Sequence, residues 1–253
     1  MAILDIKNCT KKFGGLIAVK NLHMSLNQGD LYGLIGPNGA GKTTVFNLIT
    51  GVYTPDEGSI ELDGKPIQRR KPSAIAKMGM SRTFQNIRLF QSMTVLETVK
   101  VARHLHKKQG LIDAIIRTPH LNREEEEIEH AAMELLKIFN LDKRADDLAS
   151  NLPYGSQRRL EIARALATNP KVLLLDEPAA GMNPQEASEL MRLIRFSRDR
   201  FHITVLLVEH NMKVVTGVCE TIQVIDYGET IALGNPKEIQ DNPKVIEAYL
   251  GGA

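Results

Sequence analysis

The sequence predicts an α/β domain built on a parallel sheet, with a helical segment inserted into it. Three observations carry that expectation. Short apolar, strand-like runs alternate with helical stretches in the first and last thirds of the chain, the pattern of parallel strands joined by crossover helices. The middle, from about 95 to 148, is helical and charged. No internal repeat or low-complexity tract is present, so the middle reads as an insertion into one domain.

The elements follow in order. Residues 3–8 alternate apolar and polar side chains, as a half-buried strand does, and Leu22, Met24 and Leu26 repeat the pattern before a turn at 27–30. Residues 31–35 form a short apolar strand. A Gly-rich loop comes next, then a helix over 43–50 with Val45, Phe46, Leu48 and Ile49 on one face, stopped by Gly51 and Pro55. A strand over 58–62 closes with the hairpin-type turn Asp63-Gly64. The run Glu124 to Glu127 reads as a solvated helix face or helix start in preference to a metal site. The apolar-rich segment 111–118 reads as core or as a patch that docks a partner. Further on, helices are expected over 158–167 and 185–201, strands over 172–175, 203–208, 221–225 and 230–233, and a closing helical tail over 236–250.

Composition narrows the function. The chain has 253 residues, 43% of them apolar, which is ample for a packed core. Lys and Arg number 32 against 30 Asp and Glu, so a net charge of +2 gives no footing for a nucleic-acid partner. Cys9 and Cys219 lie far apart with neutral flanks and read as idle thiols in a reducing compartment. No apolar run approaches the roughly 18 to 20 residues needed to span a bilayer. Asp5 and Asn8 argue against a secretory signal, so any membrane link is expected to be peripheral, through a partner protein.

Two motifs carry chemistry. Gly36-Pro37-Asn38-Gly39-Ala40-Gly41-Lys42-Thr43 fits G-x-x-x-x-G-K-[ST]. Glycines let the backbone curl with its N–H groups inward, a nest for phosphate oxygens. The helix that follows, from Thr43 and Thr44, offers its positive end to the same anion. Lys42 supplies a mobile cation for the β- and γ-phosphates, and the Thr43 hydroxyl a ligand for Mg²⁺. A chance match in a chain of this length is expected roughly 1% of the time, and the strand before and helix after the loop lower that further. The second motif is an apolar strand, 172–175, that ends in Asp176-Glu177. Asp176 is placed for the Mg²⁺ shell, and Glu177 is a separate carboxylate to polarise an attacking water.

These motifs, with Gln85 in Thr83-Phe84-Gln85, the stretch 152–164, Asp176-Glu177-Pro178 and Glu209-His210, stand in the order and spacing of an ABC transporter ATPase, and the resemblance covers essentially the whole chain. More narrowly, the sequence resembles the larger of the two ATPase subunits of bacterial branched-chain amino-acid importers. Ser81 to Phe90, the 110–119 segment, Glu177-Pro178-Ala179-Ala180-Gly181-Met182-Asn183-Pro184 and the tail Asn242-Pro243 to Tyr249-Leu250-Gly251 carry that closer likeness.

The resemblance implies a P-loop NTPase (RecA-like) core with an antiparallel β subdomain and an inserted helical subdomain. Core and β subdomain take about 1–85 and 162–234, the helical subdomain about 86–161, and the tail 235–253. It implies ATP and Mg²⁺ as cofactors, with Phe13 stacking on adenine, Gln85 reaching the metal and the water, and His210 contacting the γ-phosphate. It implies a second ATPase subunit in a heterodimer or a homodimer, two transmembrane permease subunits, an external binding protein acting indirectly, and a place on the cytoplasmic face of the plasma membrane.

The departures are informative. The family signature Leu-Ser-Gly-Gly-Gln, which binds the γ-phosphate of the opposite subunit's ATP, aligns with Leu152-Pro153-Tyr154-Gly155-Ser156. Gly155 is kept, but Pro153 has neither a hydroxyl nor an N–H to donate. The loop that usually carries an Asp reads Ala180-Gly181-Met182-Asn183. An asymmetric pair of ATP sites is therefore expected, the one with this chain's Glu177 competent and the one facing Pro153 slow. The competing readings are the same ATPase in a urea importer or a lipopolysaccharide extractor, a soluble ABC ATPase of repair or translation, and a non-catalytic nucleotide-gated assembly subunit. The lack of sustained heptads between Lys42 and Asp176, and the single ATPase unit, speak against the soluble types.

Overall fold

A computed structural model describes residues 2–106, 119–210 and 212–250. The apolar-rich segment 111–118 lies outside the described residues. The chain divides into two compact units: Met1–Gln85 with Lys171–Ala253, and Asn86–Pro170.

In chain order, the first unit opens with β1 (Ala2–Phe13), β2 (Leu16–Asn27), β3 (Leu31–Ile35), α1 (Lys42–Ile49), β4 (Glu57–Leu62), β5 (Lys65–Pro66), α2 (Pro72–Lys77) and β6 (Met80–Arg82). The second unit supplies α3 (Val95–Arg103), α4 (Pro119–Ile138) and α5 (Tyr154–Ala167). The first unit resumes with β7 (Val172–Asp176), α6 (Pro184–Phe201), β8 (Thr204–Val208), α7 (Met212–Val218), β9 (Thr221–Asp226), β10 (Glu229–Gly234), α8 (Pro236–Gln240) and α9 (Pro243–Leu250).

Two sheets form the first unit. One is antiparallel, in the order β2-β1-β4-β5. The other runs β10-β9-β3-β8-β7-β6; its pairs are parallel except the hairpin of β9 with β10. Every residue of β3, β7 and β8 is buried. That is why these strands read as continuous apolar runs, since a parallel sheet is covered on both faces. The α1 face Val45, Phe46, Leu48 and Ile49 enters one core with Leu4, Ile6, Leu22 and Leu62 of the antiparallel sheet and Leu34, Leu174 and Leu206 of the parallel one. Helix α1 is thus held by both sheets.

In the second unit, Thr94 caps α3 through a capping box with Glu97, worth roughly 1 kcal/mol. Of the acidic run on α4, Glu125, Glu126 and Glu127 are exposed, as a solvated face requires. Arg158 and Glu161 of α5 form a wholly buried ion pair at 3.0 Å.

Two expectations differ from the structure. The helix expected over 158–167 starts at Tyr154, immediately after Pro153, whose fixed φ of −55° suits a helix entry. The subdomain boundary expected at about 161–162 falls inside that unbroken helix, and the second unit runs on to Pro170. The helical tail consists of two helices, because Pro243 lacks an N–H to continue α8 and disfavours helical backbone at Asn242.

Candidate functional site

Strand register builds the site. Arg82 lies opposite Leu174, Asp176 opposite Val208, and Ile35 opposite Val224. The carboxyl ends of five strands therefore finish at one edge of the sheet, where open α/β sheets take their ligands.

The loop 36–41 leaves β3 at that edge. Gly41 has φ +104°, and a Cβ there would lie 2.5 Å from the Ala18 carbonyl oxygen. A Cβ on Gly36 would lie 2.0 Å from the Ile225 oxygen. The loop is thus clasped between β2 and the end of β9, and only glycine fits at both contacts. Gly228, in the β9–β10 turn, donates to the Ala40 oxygen at 2.9 Å and accepts from Lys20 N at 2.8 Å, which ties turn, loop and β2 together. Asn38 and Gly39 are exposed at the tip.

Lys42 is buried, and its Nζ donates to the carbonyl oxygens of Gly36 at 2.7 Å and Pro37 at 2.8 Å. Burial lowers its pKa, and the nearby carboxylates of Glu177 and Asp176 oppose that shift. Thr43 is exposed and Thr44 half-buried in the first turn of α1.

At the end of β7, Asp176 is buried and its Oδ2 accepts from Arg82 Nη2 at 2.8 Å. Glu177 follows with φ +46°, an uncommon value for a non-glycine residue and one that clusters at functional positions. Its N–H donates to Val208 O at 2.9 Å, which fixes the turn that aims the side chain. Gln85 Nε2 donates to Glu177 Oε2 at 3.0 Å, and His210 Nδ1 stands 3.6 Å from Glu177 Oε1. Glu209 is buried, accepts from Ala179 N at 3.0 Å, and has its pKa raised by desolvation.

The structure thus brings Gly36 to Thr44, Gln85, Asp176, Glu177 and His210 into one unit, with Gln85 hydrogen-bonded to Glu177 and His210 beside the same carboxylate. Phe13, at the β1–β2 turn, is 41% exposed and no core residue; its ring meets Tyr53 edge-on at 5.1 Å, with Lys11 Nζ 5.4 Å from its centroid. Gly155 lies in the other unit, in the first turn of α5. Beside it Tyr154 is held by Arg158, whose Nη2 donates to the Tyr154 hydroxyl at 3.2 Å.

Sequence reasoning missed several contributors. Arg82 and Asn47, whose Oδ1 accepts from Arg82 Nη1 at 2.7 Å, carry no motif of their own, and in the sequence Glu209 stands out only as the neighbour of His210. Tyr249 of α9 also reaches the loop. It lines a cleft of about 1050 Å³ with Gly36 to Ala40, His210, Tyr227 and Lys244. Its hydroxyl is buried beside the Gly36 N–H, without a hydrogen bond of good geometry, and its pKa is pushed up to about 12 by desolvation.

A phosphate-binding loop, an Asp-Glu pair at the next strand's end, and a Gln and a His on the Glu define a nucleotide-hydrolysing site of the ATP-binding-cassette type. The family model described as "ABC transporter" matches residues 19–180, and one described as "Branched-chain amino acid ATP-binding cassette transporter" matches 229–253. The chain belongs to the ABC transporter family and is an ATPase of that family. It is 47% identical to the high-affinity branched-chain amino acid transport ATP-binding protein BraF of Pseudomonas aeruginosa, over 99% of this chain and 98% of that one. It is 46% identical to LivG of Escherichia coli K12, with the same name and coverage. The lipopolysaccharide export ATP-binding protein LptB of Haemophilus influenzae is 35% identical over the same shares. Among solved structures, the ADP conformation of MJ1267, an ATP-binding cassette of an ABC transporter, matches with a TM-score of 0.86 at 33% identity, covering 99% of each chain. The ATP-binding cassette MJ0796, a dimer in a post-hydrolysis state with ADP and Pi, matches with a TM-score of 0.77 at 26% identity, over 92% of this chain and 98% of that one. Among the described residues, no helix is long and apolar enough to cross a membrane.

Proposed function

We propose that this chain is the ATP-hydrolysing subunit of a membrane importer for branched-chain amino acids. The observation that carries the chemistry is Glu177, hydrogen-bonded by Gln85 and with His210 3.6 Å away, within the unit that holds Lys42 and Asp176. The substrate class is supported by the likeness to BraF and LivG, higher than that to LptB, and by the family match of the tail.

In this reading, the N–H groups of Gly36 to Gly41 and the first turn from Thr43 and Thr44 bind the phosphates, with Lys42 turning from the Gly36 and Pro37 carbonyls to the β- and γ-phosphates. Phe13 stacks on adenine with its exposed ring. The residues that would hold Mg²⁺ are Thr43 through its hydroxyl, Asp176 through a carboxylate oxygen and Gln85 through its side-chain carbonyl. All are hard oxygen donors, the kind Mg²⁺ takes together with phosphates, so the residues fit the ion. Mg²⁺ supplies charge neutralisation at the phosphate oxygens when bound. Glu177 accepts the proton of the attacking water, and Gln85 and His210 hold that water and the carboxylate in line.

The chain acts as one of two ATPase subunits on the cytoplasmic face of the plasma membrane, beneath two permease subunits served by an external binding protein. Contacts made only with γ-phosphate present close the pair, and hydrolysis releases it. Gly155 and the Pro153-Tyr154 segment face the partner's nucleotide, and the lost donors make that second site slow.

The test of the chemistry is Glu177→Gln in the purified ATPase pair. Turnover falls by at least about 10²-fold if Glu177 is the general base; a variant keeping most of the rate ends the assignment. Pull-down of the tagged chain from solubilised membranes tests the setting. Two transmembrane subunits with a second ATPase support the importer. Lipopolysaccharide-transport proteins or urea permeases in their place transfer the same chemistry to another transporter.

A further inference from the structure

Arg82 sits where three functional elements meet. Its Nη2 donates to Asp176 Oδ2 at 2.8 Å, and its Nη1 donates to Asn47 Oδ1 at 2.7 Å. Asn47 belongs to α1, the helix that begins with Lys42 and Thr43. Arg82 ends β6, three residues before Gln85. Asp176 ends β7. The guanidinium carbon lies 5.3 Å from the centroid of Phe46 and 5.2 Å from that of Phe84. Both ion-pair side chains are largely buried, at 10% and 9% exposure.

This is a poor arrangement for a charge that has to leave and a good one for a clamp. The planar fork uses two separate nitrogens on two acceptors, a geometry that lysine cannot copy. Two aromatic contacts hold the fork in place. The bond to Asp176 engages one carboxylate oxygen only, so the rotamer is fixed while Oδ1 keeps a defined direction. Carboxylates that bind metals are commonly held by such an outer partner, whose loss costs about 10- to 100-fold in metal affinity.

We propose that Arg82 is a positioning residue for the magnesium site. It fixes the Asp176 carboxylate relative to the Thr43 end of α1 and to the strand that leads to Gln85. The proposal rests on the reading of Asp176 as a metal ligand. It does not make Arg82 a catalytic residue, since it acts only through Asp176. A plain charge effect has the opposite sign, because removing a cation beside Asp176 by itself strengthens Mg²⁺ binding.

The test measures binding without turnover. A fluorescent ATP analogue is titrated onto the full-length chain in EDTA and then at rising Mg²⁺, for wild type, Arg82→Gln, Arg82→Lys, Asn47→Ala and Asp176→Asn. Arg82→Gln is expected to raise the Mg²⁺ concentration for half-saturation by about tenfold or more, with Mg²⁺-free affinity within about twofold of wild type. Arg82→Lys restores charge without the fork and is expected to recover little. Asn47→Ala removes one anchor and is expected to shift half-saturation in the same direction by less; it also carries the test if Arg82→Gln does not fold. Half-saturation unchanged or lowered in the Arg82 and Asn47 variants overturns the proposal. Asp176→Asn separates the two claims: if it keeps the wild-type Mg²⁺ dependence, the assignment of Asp176 falls. If it loses that dependence while the Arg82 variants do not, only the role of Arg82 falls.

Discussion

The two glycines Gly39 and Gly41 share one loop and both have positive φ, +83° and +104°. An alanine at either pays the left-handed penalty, about 1–2 kcal/mol. Their surroundings differ. A Cβ on Gly39 meets nothing within 4 Å, whereas one on Gly41 lies 2.5 Å from the Ala18 backbone oxygen. That is about 1 Å inside ordinary van der Waals contact. The obstacle is backbone of β2, paired with β1 along its length, so it does not swing aside as a side chain does. Overpacking of this kind costs a further 1–3 kcal/mol or so. Gly39→Ala is therefore expected to cost about 1–2 kcal/mol, and Gly41→Ala about 2–5 kcal/mol. The chain has no tryptophan, so urea unfolding is best followed by far-UV ellipticity, without nucleotide, with the slope m required to stay constant between variants. Equal costs for the two variants, or a larger one at Gly39, refute the claim that β2 moulds the loop. Gly41→Ala is also expected to weaken ATP binding more than Gly39→Ala, because the relief of its clash moves the loop N–H groups.

Three further outcomes follow from burial. The Cys9 and Cys219 thiols are pushed up to about 11 and about 12 by desolvation, so neither is expected to react with Ellman's reagent at pH 8 until the chain unfolds; rapid labelling of native protein contradicts this. Glu209 has its folded pKa raised above 4.5 by burial, so the folded state holds its proton more tightly, and stability is lost as pH rises from 4.5 through the raised value. Glu209→Gln removes that loss and can still accept from Ala179 N. Its melting temperature relative to wild type is expected to rise between pH 4.5 and neutrality, and a flat difference rules the linkage out. Tyr249→Phe deletes a buried hydroxyl that, among the described residues, has no hydrogen bond of good geometry, and is expected to be neutral or to stabilise by up to about 1 kcal/mol, whereas a loss of more than that shows a hydrogen bond at Gly36.

Much of the fold was legible because its signals are local. The runs at 31–35 and 172–175 are apolar throughout, since those strands are covered on both faces, and Gly36 to Thr43 is a contiguous motif whose chemistry is written in residue types. The outcome was weaker where the deciding interaction spans the chain. Pro153 and Pro243 set helix boundaries through backbone they neighbour, and these were readable in principle from proline's missing N–H. Arg82 was not readable in the same way. An arginine in a short strand has no pattern that reveals a carboxylate 94 positions away in sequence. Tyr249 likewise looks like an ordinary residue of a tail helix until the fold carries it to the loop.

That division has a physical reason that bears on the site itself. The groups that would touch nucleotide must have fixed types at fixed spacing, because phosphate, metal and water dictate donor, charge and reach. The groups that hold them need only be near, and any element that passes the sheet edge can supply one. Loop 36–41 is pressed from four sides by parts of the chain distant in sequence: Ala18 on Gly41, Ile225 on Gly36, Gly228 on Ala40, and Tyr249 beside Gly36. Its curl is therefore a tertiary product. The motif states which backbone is able to bend, and β2, the β9–β10 hairpin and α9 decide how far it does. If loop 36–41 holds the phosphates as proposed, a change in the tail or the hairpin is expected to alter phosphate affinity without touching the motif, through the positions of its N–H groups.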